Sequence, residues 1–123
     1  MSKISLRIVI ADDEVDMRDY LQKVLPRWGH LVVGVAENGT QLASECRKTK
    51  PDLVITDLVM PEQEGIETIR HLHSIYPDLT IIAMSGAFDG AFLKMAKMIG
   101  ARETLHKPIS PKELLTTIKR LVG

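Results

Sequence analysis

Acidic residues directly follow two of the apolar runs in this sequence. Residues 53–56 lead into Asp57, and residues 6–11 lead into the pair Asp12-Asp13. Carboxylates that are brought together repel one another unless a cation or a proton lies among them. Ligands that offer only oxygen favour a hard ion, and Mg²⁺ accepts a few carboxylates while it keeps some of its water. An ionised Asp57 would also supply a nucleophile, although taken alone it is equally well explained as a residue that caps the following loop.

A hydroxyl and an amine occupy matching positions later in the chain. Ser85 follows the apolar run of residues 79–84, and Lys107 follows the short run of residues 103–106. A bound Mg²⁺ would attract phosphate, and an ammonium and a hydroxyl on its opposite side would complete a cradle for phosphoryl oxygens. Taken singly, Lys107 is more often a solvated surface amine and Ser85 a turn hydroxyl. The chemistry therefore depends on whether the fold brings these residues together.

Five strand patterns alternate with five helix patterns along the chain. Apolar residues at helical spacing follow each apolar run, and Ser110-Pro111 marks the start of the last helix. Asp13 is placed to cap the first helix, and Pro26 is expected to bound it. The alternation predicts an α/β fold in which helices cover both faces of a parallel sheet. Because parallel strands end on the same edge, the residues that follow them are expected to converge there.

Composition narrows the classes of protein to which this chain can belong. Its 123 residues suit one domain, and 45% hydrophobic with 26% charged residues is a globular composition. Lys plus Arg and Asp plus Glu number 16 each, so no basic excess draws the chain onto nucleic acid. Cys46 is the single cysteine, which excludes an internal disulfide and a cysteine metal cluster and suggests a small buried residue. No apolar run approaches the ~18 residues of a membrane span, so we expect a cytoplasmic protein that does not contact the membrane.

With these motifs in order, the chain resembles the receiver domains of two-component response regulators, and the single-domain chemotaxis regulators are similar in length. The resemblance covers essentially all of residues 1–123, which it implies are one receiver domain. It also implies a flavodoxin-like (βα)5 fold, doubly wound with five strands in the order 2-1-3-4-5. The motifs that carry it are the pair Asp12-Asp13, Asp57 followed by Met60-Pro61 and Gly65, Ser85, and Lys107-Pro108.

The resemblance implies a role for each residue of the site. Asp57 would accept a phosphoryl group from a sensor histidine kinase, a phosphotransfer protein or a small phosphodonor. Lys107, ahead of a cis peptide bond to Pro108, would pair with the phosphoryl group, and Ser85 would move to hydrogen-bond it. The Mg²⁺ cofactor would be bound directly by Asp13, Asp57 and the backbone carbonyl of Val59, and by Asp12 through a water molecule.

The same resemblance implies how the signal would leave the domain. Phosphorylation would act on a downstream effector protein or domain through the surface formed by the fourth helix, the fifth strand and the final helix. It would also favour a dimer. The domain itself is not expected to bind nucleic acid or to be a metabolic enzyme, although it would assist its own phosphorylation and dephosphorylation.

Several positions depart from the common pattern of the family, and three of them bear on coupling and on the lifetime of the phosphoryl group. Thr104 stands three residues before the lysine, where an aromatic residue often rotates inward on activation. Val59 and Ala87 stand two residues after Asp57 and Ser85, where neither side chain offers a hydrogen bond to a hydrolytic water. We therefore expect coupling to depend on the loop from Gly86 to Gly90, and the lifetime of the phosphoryl group to depend on Val59.

Two alternative functions are compatible with the same residues. In the first, the chain is the receiver part of a longer regulator with a C-terminal effector domain, which could bind DNA. In the second, the chain is a Mg²⁺-dependent aspartyl phosphohydrolase with Asp57 as its nucleophile. Enzymes of that haloacid-dehalogenase-like kind carry a second acid two residues after the nucleophile, and Val59 cannot supply one.

Overall fold

The computed structural model describes residues 5–60, 65–86 and 90–122. Strands and helices alternate strictly: β1 (Arg7–Ala11), α1 (Val15–Arg27), β2 (Leu31–Ala36), α2 (Gly39–Thr49), β3 (Leu53–Asp57), α3 (Gly65–Ile75), β4 (Thr80–Ser85), α4 (Gly90–Ile99), β5 (Glu103–His106) and α5 (Pro111–Val122). All pairings are parallel and the order is β2-β1-β3-β4-β5. The predicted doubly wound, flavodoxin-like sheet is therefore confirmed. Within the described ranges no helix is long and apolar enough to cross a membrane.

The sheet separates two apolar layers. Successive strand residues point to opposite faces, so Ile8 and Ile10 pack in the layer with α1 and α5, whereas Val9 and Ala11 pack in the layer with α2, α3 and α4. All five residues of β3 are buried, as expected for a central strand covered on both faces. This double covering makes β3 a rigid support for the residue at its carboxyl end.

The edge strand β2 contains a bulge next to its pairing with β1. Ile8 pairs with Val32 and Val9 with Gly34, so Val33 is an extra residue without a partner in the register. Gly34 also lies close to α2, since a Cβ atom built there would be 2.7 Å from Glu45 Oε1. Glycine therefore permits the close approach of this helix to the edge of the sheet.

The helix boundaries confirm one predicted cap and correct two other predictions. The Ser110 side chain caps α5 by accepting a 3.1 Å hydrogen bond from Glu113 N–H, and Asn38 caps α2 in the same way. The prediction that Asp13 caps α1 is wrong, because Glu14 is the N-cap residue. Pro26 does not bound α1, which continues to Arg27; a proline in the last turn removes only one intrahelical hydrogen bond.

The single cysteine packs as a small core residue, as predicted. Cys46 is 1% exposed in the layer beneath α2. Burial, together with the charge of Glu45, raises the pKa of the thiol to about 11. The thiol is thus protonated at neutral pH and is a poor nucleophile and metal ligand.

Candidate functional site

Three carboxylates meet at the carboxyl edge of the sheet. Asp12 follows β1, Asp57 ends β3, and these central strands pair directly with Ala11 opposite Thr56. One carboxylate oxygen from each of Asp12, Asp13 and Asp57 lies within 4.8 Å of the other two. Asp12 is 0% and Asp57 5% exposed, while Asp13 is open to solvent. The predicted convergence of the two acidic motifs is therefore present.

Lys107 reaches into this acidic group from the end of β5. Its Nζ atom lies 2.7 Å from Asp12 Oδ2 and 3.5 Å from Asp57 Oδ2. The Lys107 backbone N–H donates a 2.7 Å hydrogen bond to the carbonyl of Ser85, which fixes the lysine beside the end of β4. The peptide bond to Pro108 is cis, as predicted. Lys107 is therefore a partly buried counterion of the site and not a solvated surface amine.

The Asp57 carboxyl is held in an environment that disfavours its charge. Burial raises the pKa of Asp57 to about 6, and the nearby charge of Asp12 acts in the same direction. The Lys107 ammonium and the backbone N–H of Val59 oppose this rise without cancelling it. The carboxylate that the sequence predicts to be a nucleophile is thus one whose pKa the fold raises.

The pKa values of Asp12 and Lys107, which form the closest ion pair of the site, are also shifted. Burial raises the pKa of Asp12, although hydrogen bonds from Lys107 and from the N–H of Glu14 favour the ionised form. Burial alone would lower the pKa of Lys107, but the hydrogen bond to Asp12 and the charge of Asp57 raise it above its ordinary value. Lys107 therefore stays protonated and offers a permanent positive charge next to Asp57.

The other predicted site residues lie around this center. Ser85 is fully buried at the end of β4, the strand that pairs with β3. The backbone N–H of Val59 donates a hydrogen bond to the Asp57 carboxyl. The Val59 residue itself is 59% exposed. The predictions for Ala87, for most of the loop from Gly86 to Gly90, and for Pro61 concern positions outside the described residues.

Three residues near the site were not singled out by sequence reasoning. Glu14 Oε1 lies 3.2 Å from Lys107 Nζ. The Arg18 guanidinium donates a 2.9 Å hydrogen bond to the Asp12 carbonyl and pairs with Glu37 at 3.1 Å. Tyr20 Oη donates a 2.8 Å hydrogen bond to the Ile109 carbonyl, two residues beyond the lysine. The sequence offered only two indications of their position: Glu14 adjoins the acidic pair, and Arg18 and Tyr20 follow it on the same helix.

Ion pairs connect the elements of the predicted effector surface. Glu103 on β5 contacts Arg120 of α5 at 2.9 Å and Lys97 of α4 at 3.6 Å. The next residue, Thr104, is half-buried and borders a cavity of about 420 Å³ against α5. The two helices and the strand are thus tied together at their exposed side.

The donor set suits a hard divalent cation. Asp12, Asp13 and Asp57 offer only oxygen, and Lys107 compensates one of their three charges. Repulsion among buried carboxylates makes an added cation favourable, and Asp13 leaves the group open to water on one side. A cation with few carboxylate ligands and several retained waters is the coordination that Mg²⁺ prefers.

Comparison with known proteins agrees with this architecture. Residues 8–119 match the family model of the response regulator receiver domain. Chemotaxis protein CheY of Thermotoga maritima is 31% identical over 115 residues, which span 94% of this chain and 96% of that protein. The DNA-binding transcriptional regulator NtrC of Azospirillum brasilense is 37% identical over 116 residues, or 94% of this chain and 24% of that protein.

Comparison with solved structures also shows the receiver-domain fold. The two-component response regulator of the LuxR family from Aurantimonas sp. SI85-9A1 superposes with a TM-score of 0.87 at 29% identity. That match covers 96% of this chain and 85% of the other. The likeness therefore extends over the whole sheet with its helices and is not confined to the site.

Proposed function

Since the chain belongs to the response regulator receiver domain family of two-component systems, we propose that it is a phosphorylation-operated switch in which Asp57 is the phosphoacceptor. One observation carries this proposal. Asp57 ends the central strand with its carboxyl buried, beside two further carboxylates and 3.5 Å from the Lys107 ammonium. Such an arrangement can accept a phosphoryl group and neutralise its charge.

Phosphoryl transfer would make one bond and break another. An Asp57 oxygen bonds to phosphorus while the bond to the donor nitrogen or oxygen breaks, and the donor leaves with the electron pair. The donor is a histidine kinase, a phosphotransfer protein or a small acyl phosphate. Asp57 must be ionised for the attack, and a pKa of about 6 leaves most of it ionised at neutral pH. The fold therefore supplies a basic carboxylate that still carries its charge.

The remaining residues would stabilise the transferring group. Asp12, Asp13, Asp57 and the carbonyl of Val59 would hold Mg²⁺, which when bound neutralises phosphoryl oxygens. Lys107 would exchange its contact with Asp57 for one with the phosphoryl group, and Ser85 would donate its hydroxyl. This exchange changes the charge beside β4 and β5, and it would thereby alter the surface of α4, β5 and α5 to which an effector or a second copy binds.

The metal requirement provides the direct test of this proposal. Asp13→Asn removes an exposed ligand charge without opening the core, so we expect Mg²⁺ affinity to fall by at least roughly 10- to 100-fold, the loss typical of mutating even the outer-shell partners of metal ligands. Calorimetric titration with Mg²⁺ measures that loss, and intact-mass analysis after incubation with acetyl phosphate measures phosphoryl uptake. Asp78→Asn, an exposed acid beyond α3, is the matched control. Unchanged Mg²⁺ affinity in Asp13→Asn would contradict the metal assignment.

Lys107 is expected to transmit phosphorylation to the surface of α4 and β5 and to contribute little to Mg²⁺ binding. Lys107→Ala should still bind Mg²⁺, because the carboxylates remain, but it should lose the change in hydrogen exchange across α4 and β5 that beryllofluoride, a phosphoryl mimic, induces. The control is Lys119→Ala, an exposed lysine on α5. A full exchange response in Lys107→Ala would show that the ammonium does not transmit the signal.

We also propose that residues 1–123 form one receiver domain, which a longer regulator could contain. The similar region of NtrC is 24% of a DNA-binding transcriptional regulator, which favours this as the second candidate context. The position of the stop codon in the gene decides whether the receiver domain stands alone or is part of a longer regulator. A phosphohydrolase function is disfavoured because Val59 places an apolar side chain where the second acid would be needed. Turnover of a phosphate ester would support that function.

A further inference from the structure

Glu14 is a charged neighbour of Lys107 to which the proposed function gives no role. It is the N-cap residue of α1, a position where a Ser, Thr, Asp or Asn side chain commonly accepts a hydrogen bond from the first turn. Its side chain makes no such bond, and its Oε1 atom instead lies 3.2 Å from Lys107 Nζ. The Glu14 backbone N–H meanwhile donates a 2.9 Å hydrogen bond to Asp12 Oδ1. The residue therefore contacts both members of the closest ion pair of the site.

Glu14 is the outermost carboxylate among the partners of the ammonium. Its side chain is 67% exposed, compared with 0% for Asp12 and 7% for Asp57. An anion that approaches Lys107 from solvent thus meets the Glu14 charge before it meets the buried carboxylates. This charge repels the anion, and its contact occupies one of the three ammonium protons.

We infer that Glu14 is a positioning residue that restrains Lys107 in the unphosphorylated site and slows phosphoryl transfer from small anionic donors. This inference rests on the proposed role of Asp57 as phosphoacceptor. When Glu14 is replaced by the uncharged Gln, Asp12 and Asp57 remain as partners of the ammonium, at 2.7 and 3.5 Å from it. The incoming phosphoryl oxygens then compete with one carboxylate fewer for Lys107.

The test compares rates of phosphoryl uptake in Glu14→Gln, Glu14→Asp and Asp16→Asn. Asp16 is an exposed acid in the first turn of the same helix without a contact to Lys107 among the ion pairs of the described residues. With acetyl phosphate and saturating Mg²⁺ at low ionic strength, we expect Glu14→Gln to take up phosphoryl about three- to tenfold faster than wild type, the scale of one partly screened charge. Asp16→Asn should stay within about twofold, and Glu14→Asp, which keeps the charge, should stay closer to wild type than Glu14→Gln. The gain should shrink at high salt.

A second readout does not depend on phosphorylation. In metal-free protein labelled with ¹⁵N, the side-chain ammonium of Lys107 should exchange its protons with water faster in Glu14→Gln than in wild type, because one acceptor has been removed. Asp16→Asn should leave that exchange unchanged. A purely structural role of Glu14 in α1 would not produce this difference.

The outcomes separate this inference from the proposed function. If wild type takes up no phosphoryl group, the proposed function fails and the inference fails with it. If wild type is labelled but Glu14→Gln is equally fast or slower, only the inference is overturned. Equal acceleration by Asp16→Asn would also overturn the inference, since the effect would then be a general effect of charge. Unchanged proton exchange of the Lys107 ammonium in Glu14→Gln would overturn it as well.

Discussion

Asp57→Asn is expected to abolish stable phosphoryl uptake while the fold is retained. The substitution keeps the shape of the side chain at the end of β3 but removes the charged oxygen that would bond to phosphorus. Asp57 is 5% exposed and the surrounding strand is fully buried, so a side chain of equal size is the least disruptive replacement. Incubation with Mg²⁺ and acetyl phosphate should add the mass of one phosphoryl group to wild type and nothing to the variant.

The control for this loss is an aspartate remote from the site. Asp78 is exposed and lies just before β4, at the amino edge of the sheet. Asp78→Asn should be phosphorylated at the wild-type rate and extent. Stable labelling of Asp57→Asn at the wild-type level would show that another residue is the phosphoacceptor, whereas a circular dichroism spectrum unlike that of wild type would indicate that the variant had lost its fold.

Without metal, ionisation of Asp57 is expected to destabilise the folded protein between about pH 4 and pH 6. Its pKa in the folded state is about 6, above the ordinary value of 3.8. Well below pH 3.8 the carboxyl is protonated in both states, and its full stabilising contribution to the folded state is present. As the pH rises toward 6, the unfolded state ionises first, so the free energy of unfolding falls. The integrated loss is on the order of 3 kcal/mol at neutral pH.

The Asp57→Asn variant isolates this contribution. It cannot ionise, so the difference in free energy of unfolding between variant and wild type should grow from near zero at pH 4 to about 1–3 kcal/mol at pH 7 in favour of the variant. Urea unfolding in EDTA at several pH values measures the difference, with Asp78→Asn as the control for general charge effects. A variant that is less stable than wild type at pH 7 would contradict the raised pKa. Addition of Mg²⁺ should stabilise wild type more than the variant.

Much of the fold follows from local pattern because each strand is short and apolar and each helix has its own signals. Ser110 caps α5 through a side chain that the sequence identifies directly, and Asn38 caps α2 in the same way. The convergence of Asp12, Asp57 and Lys107 then requires only that all strands run in the same direction. A parallel sheet determines which residues share an edge, even when they are far apart in the chain.

The remaining details depend on geometry that the sequence pattern does not specify. Adjacent acids follow β1, and the helix begins one residue later than capping by Asp13 would require. This shift gives the cap position to Glu14 and directs its carboxylate to Lys107. The contact of Arg18 with the Asp12 carbonyl likewise depends on how α1 leaves the sheet. Residue type predicts neither contact, because a shift of one residue turns a helix by about 100°.

The bulge in β2 has a consequence for the behaviour of the protein in concentrated solution. β2 is an edge strand whose residues 31–36 carry no charge, and Leu31 is 56% exposed. A flat, apolar edge of this kind is a template on which other chains can add strands and aggregate. The extra residue Val33 interrupts the regular register, and bulges of this kind generally bend a strand. We therefore expect this uncharged edge to be protected by its shape, where many proteins use a lysine or a proline.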